Sequence, residues 1–61
     1  MTKYRLIVYY ADEESYMQLL EIAQEYKVSF THIVEREALV FFIDDTDMLV
    51  TIARNIQAAF E

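Results

Sequence analysis

Six consecutive apolar residues, Ala38-Leu39-Val40-Phe41-Phe42-Ile43, stand between Glu37 and the polar stop Asp44-Asp45-Thr46-Asp47. A run so short, rich in β-branched and aromatic side chains, reads as a strand covered on both faces rather than as a helix. It belongs in the middle of a sheet. The remaining segments must therefore provide flanking strands and a layer to pack on them.

The flanking segments carry two different periods. Lys3 to Tyr10 alternates as a strand does, with Tyr4, Leu6, Val8 and Tyr10 on one side and Lys3, Arg5, Ile7 and Tyr9 on the other. Ala11-Asp12-Glu13-Glu14-Ser15 then starts a helix over about 12–27, with Asp12 as N-cap and the acids favouring the positive end of the helix dipole. Tyr16, Leu19, Leu20, Ile22, Ala23 and Tyr26 form its apolar face, and Met17 lies off it. Period two returns over about 28–34, where Val28, Phe30, His32 and Val34 share one side and Ser29, Thr31 and Ile33 the other. Glu35-Arg36-Glu37 is the only polar break before the strand at 38–43; without glycine it implies a longer loop built on a type I turn. A second helix, about 46–60, opens at the aspartate cluster and aligns Met48, Leu49, Ile52, Ala53, Ile56, Ala59 and Phe60, leaving Val50 and Ala58 outside.

Strand, helix, strand, strand, helix, joined by right-handed crossovers, gives an α+β domain over residues 1–61. Its three-stranded antiparallel sheet has the order 1-3-2, with both helices on one face. This resembles the ferredoxin-like superfold and, in outline, the RNA-recognition motif; no specific family is recognised. The resemblance implies a βαββα unit lacking the last strand, since the sequence ends at Glu61 in the second helix. In the full superfold that strand pairs with the outer edge of strand one. Unpaired backbone groups are thus expected from Thr2 to Tyr10.

If the helices cover the face bearing Leu6, Val8, Leu39, Phe41 and Ile43, the other face carries Ile7, Tyr9, Ile33, Val40 and Phe42, with Lys3, Arg5 and Glu35 toward its margin. Five large apolar side chains on an open sheet exceed what a monomer ordinarily exposes. They are the candidate protein interface, for a second copy packed sheet to sheet or for another protein. Burial there would also protect Leu39 to Ile43, an aggregation-prone segment between charged gatekeepers.

Size and composition point the same way. At 61 residues the chain has neither Cys, Gly nor Pro, so it has no disulfide, thiolate metal site or flexible linker. It must rest on its core or on a partner. The apolar fraction, 56%, is high for so small a domain and favours a partner. The formal charge of −6 works against nucleic acid and anionic lipid. No apolar run reaches the length of a membrane span, and Met1-Thr2-Lys3-Tyr4-Arg5 does not read as a signal peptide, so a cytoplasmic location is expected. Glu14, Glu21 and Glu25, with Gln18 and Gln24, make an acidic helix surface lacking basic partners at helical spacing, which reads either as a solvated face or as a stripe that meets a basic partner.

Catalytic signals are sparse. His32 is the single imidazole and alternates toward the core, where a structural role is expected. Asp44, Asp45 and Asp47 lack the glycine turn and closing glutamate of a calcium loop and suit helix capping. No nucleophile elbow or phosphate loop is present. The expectation is a non-enzymatic, acidic protein-protein interaction module, an inhibitor or modulator acting through the open face and the acidic surface, with no cofactor, metal or small-molecule substrate. One alternative is a nucleic-acid mimic, of the kind encoded by phage or mobile elements, that blocks a basic site on a protein. Another is RNA binding on the open face, through Tyr9 and Phe42 with Lys3 and Arg5. Against the latter, Ala38 and Val40 occupy positions that should stack on bases, and the net charge has the wrong sign.

Overall fold

A computed structural model describes residues 3–60. The elements run β1 (Tyr4–Tyr9), α1 (Glu13–Glu25), β2 (Ser29–Ile33), a 3-10 turn (Val34–Arg36), β3 (Ala38–Ile43) and α2 (Thr46–Phe60). The sheet order is β1-β3-β2, and both pairings are antiparallel. This is the α+β arrangement expected from the sequence, with the apolar run at its centre. Thr2, where the unpaired edge was expected to begin, and Glu61 lie outside the described residues.

Local chemistry sets the ends of the elements. Asp12 caps α1: its backbone is extended, and its carboxylate accepts the Ser15 N–H at 2.8 Å. At the other end, Val28 N–H donates to Ala23 C=O at 2.9 Å and Lys27 N–H to Gln24 C=O at 3.3 Å. This is the paired closure of a Schellman motif, which needs a left-handed residue after the cap, and Lys27 takes that conformation at φ 54° without being glycine. α2 is opened by Asp45, whose side chain accepts the Asp47 N–H at 3.2 Å. Capping thus accounts for one member of the aspartate cluster.

The loop between β2 and β3 also works without glycine. Val34–Arg36 form a 3-10 turn, and Glu37 closes it in the left-handed region at φ 52°, ψ 52°, returning its N–H to the Val34 carbonyl. This turn carries Val34 out of the strand. Val34 was expected on the core side, and it is 69% exposed because the turn rotates it away before it can pack. Phe30 meets Phe41 edge-on at 6.4 Å between centroids, yet its outer flank is open because β2 is an edge strand.

The core lies between the sheet and the two helices. Leu39, Phe41 and Ile43 of β3 pack with Leu19, Ile22 and Ala23 of α1 and Ile52 of α2, and Tyr4, Leu6 and Val8 of β1 close the side. Of the apolar face expected for α2, only Ile52 is fully enclosed; Met48, Leu49 and Ile56 pack in part, and Ala53, Ala59 and Phe60 are exposed. Tyr4 also bridges sheet and helix through its hydroxyl, 2.8 Å from Thr46 Oγ1.

Candidate functional site

The strand registers define the bare face. Across the sheet run three rows: Tyr9, Ala38 and Ile33; Ile7, Val40 and Thr31; Arg5, Phe42 and Ser29. The alternation of β1 fixes the assignment, since its odd-numbered residues are exposed and its even-numbered ones partly buried. Ile7, Tyr9, Ile33, Val40 and Phe42, picked out from periodicity alone, therefore share one face.

Their exposure is uneven, and the cause is position in the sheet. Ile7 and Tyr9 on β1 are 52% and 65% exposed, while Val40 at the centre is 8% exposed. Val40 is enclosed by Ile7 and Thr31 on either side and by Ala38 and Phe42 along its own strand. Phe42 and Ile33 are half-buried. The β2 column contributes Ser29 and Thr31, which are polar. The apolar surface is thus skewed toward β1, and its freely accessible part is Ile7 and Tyr9 with Phe42 and Ile33 beside them. Arg5 stands opposite Phe42 at the margin.

The acidic surface is separate from this face. Glu14, Glu21 and Glu25 are exposed on α1, whose inner side packs Leu19, Ile22 and Ala23 into the core. α1 thus lies on the opposite side of the sheet from the bare face.

A third grouping was not visible in the sequence. Tyr10, Tyr16 and His32 assemble at one end of the helix-covered side: the Tyr10 hydroxyl and His32 Nε2 lie 2.6 Å apart, and Tyr16 stacks on the His32 ring at 4.6 Å and 27°. Tyr10 directly follows β1 and His32 lies on β2, the two strands that flank β3, so only the strand order brings them together. Burial is the main cause that holds the Tyr10 phenol above its ordinary pKa, helped by the nearby Glu37 charge and by Tyr16. His32 is thereby tied into packing. A shallow groove beside this cluster is lined by Tyr10, Ala11, Asp12, Tyr16, Val34 and Glu37.

The chain matches no family model, no curated protein and no solved structure. Among the described residues, no group of three or more His, Asp or Glu side chains is placed to hold a metal ion. No helix there is long and apolar enough to cross a membrane. The arrangement offers shape and hydrophobicity on one side, negative charge on the other, and a backbone edge along β1. Such features suit recognition of another chain.

Proposed function

We propose that this is a small acidic protein-binding module whose docking surface is the side of the sheet that the helices leave bare. The observation that carries this reading is the exposure of Ile7 and Tyr9 beside Phe42 and Ile33. A two-layer domain ordinarily keeps its large apolar side chains for the layer interface, and here a second set lies on the far side. Apolar and aromatic side chains with a single arginine at the rim match the composition of protein-protein interfaces. The module acts by occupying a partner's surface, as an inhibitor or modulator does, and cytoplasmic proteins are the partners it suits.

The test uses paired baits. Phe42→Glu places a charge on the central strand of the bare face without entering the core, so the circular dichroism spectrum should keep its helical signal while captured proteins fall away. Glu21→Gln on the acidic helix should retain them. If the Phe42→Glu bait captures the same proteins as the wild type, the bare face is not the docking surface. Loss on Glu21→Gln alone, with wild-type capture weakened by added salt, would instead favour the acidic surface as a mimic of nucleic acid.

A further inference from the structure

The backbone of β1 has a free side, and its position can be read from one hydrogen bond. Tyr10 N–H donates to the Glu37 carbonyl at 2.9 Å, continuing the register that runs from Tyr4 opposite Ile43 to Tyr9 opposite Ala38. Hydrogen bonding alternates along an antiparallel strand, so the even-numbered residues of β1 face β3. Arg5, Ile7 and Tyr9 point their N–H and C=O groups away from it. Among the described residues no strand lies on that side. The three residues with free backbone groups are the same three that carry the β1 side chains of the bare face.

We propose that this edge pairs with the β1 edge of a second copy, antiparallel about a two-fold axis at Ile7, to make a continuous six-stranded sheet. The inference goes beyond the reading of the bare face, because it uses the edge and leaves Phe42 and Ile33 free in both copies.

Charge is the first argument for a second copy. β1 is preceded and opened by the bases Lys3 and Arg5, and it is followed by the acids Asp12, Glu13 and Glu14. Antiparallel pairing lays the basic start of one strand along the acidic end of the other, so two chains of net negative charge meet through opposite charges. Arg5 falls opposite Tyr9 of the second copy, where a guanidinium can lie on the aromatic ring, and Lys3 falls beside Asp12. No like charges stand opposite each other in this register.

Facing is the second argument. A register that pairs odd with odd residues keeps both bare faces on the same side, and a slip by one residue would turn one of them over. Ile7 then meets Ile7, with Leu6 opposite Val8 and Tyr4 opposite Tyr10 on the helix side. At that end Tyr9, Tyr10, Ser15 and the exposed Phe60 line a concavity, into which the start of the second strand leads. The outer edge of β2 offers less, since its bare-face residues include Ser29 and Thr31. A contact built on one short strand from each copy lies at the small end of specific interfaces, so the dimer should be weak and concentration-dependent.

Sedimentation equilibrium on the full chain, over a micromolar-to-millimolar range at low and high salt, tests the pairing. The expected result is a mass rising toward twice the monomer, less so at high salt. A synthetic chain N-methylated at Ile7 loses only an outward donor; it should keep its circular dichroism spectrum and dimerise at least about tenfold more weakly. Because the protein has no cysteine, Ile7→Cys gives a second readout. Paired Cα atoms about 5.5 Å apart suit a disulfide, so mild oxidation should cross-link it far faster than Thr51→Cys on exposed α2. A monomer at every concentration, an N-methylated chain that dimerises as tightly as the wild type, or equal cross-linking of the two cysteine variants would overturn the pairing. A dimer lost with Phe42→Glu but kept with N-methylation would place the copies face to face, sinking the edge pairing while the bare-face reading stood.

Discussion

Phe41 and Phe42 are neighbours in β3 with different roles. Phe41 is fully enclosed between the sheet and the helices, meeting Leu19, Ile22 and Ile52 in one cluster, whereas Phe42 is half-buried on the bare face between Arg5 and Ser29. The chemistry of the residue is the same in both places. Which face the pleat assigns it to decides whether it sits in the core or on the bare face proposed as the docking surface. β1 repeats the lesson in its backbone, where alternate residues bond to β3 or face outward.

The sharpest way to break this comparison is to remove both rings in turn. Phe41→Ala should cost about 3–5 kcal/mol through lost burial and a residual cavity, enough to unfold much of so small a domain. Phe42→Ala should cost about 1 kcal/mol or less. Urea unfolding followed by circular dichroism measures both, and similar losses would mean that the two faces are not energetically distinct.

A second variant sharpens the contrast by strengthening the covered side alone. Lys27 holds a left-handed backbone that disfavours any residue with a Cβ, so Lys27→Gly should stabilise the fold by about 1 kcal/mol. The midpoint in urea should rise while association is unchanged. A concurrent change in association would couple the two sides.

The smallest expected effect lies at the start of α1. The Ser15 N–H holds the Asp12 carboxyl below its ordinary pKa of 3.8, so the folded state binds this proton less readily than the unfolded one. The cap therefore contributes its stability above the unfolded pKa and loses it as pH falls through the folded value. Asp12→Ala should lower stability at neutral pH, and its difference from the wild type should shrink in acid. A difference that stays constant with pH would mean that the charge of the cap is not what matters.

Much of this was legible because strands advertise their faces. The alternation of Lys3 to Tyr10 and of Val28 to Val34, with the unbroken run of Ala38 to Ile43, was enough to place β3 centrally and to gather Ile7, Tyr9, Ile33, Val40 and Phe42 on one side. What the pattern could not convey depends on neighbours distant in sequence. Val40 is shielded because Ile7 and Thr31 flank it across two pairings. Val34 leaves its strand because Glu37 adopts a left-handed turn that its residue type does not announce. Phe60 stays exposed although its helical spacing matches that of Ile52 and Ile56. The contact between Tyr10 and His32 spans 22 positions and arises only once β3 lies between their strands.

The most direct measurement is amide hydrogen exchange along β1 as a function of protein concentration. The account predicts that Leu6, Val8 and Tyr10 are protected at every concentration, because their N–H groups bond to β3. Arg5, Ile7 and Tyr9 should exchange freely in dilute solution and become protected as concentration rises. If those three exchange freely at all concentrations, or if protection along β1 does not alternate with residue parity, the division of the strand between fold and partner is wrong.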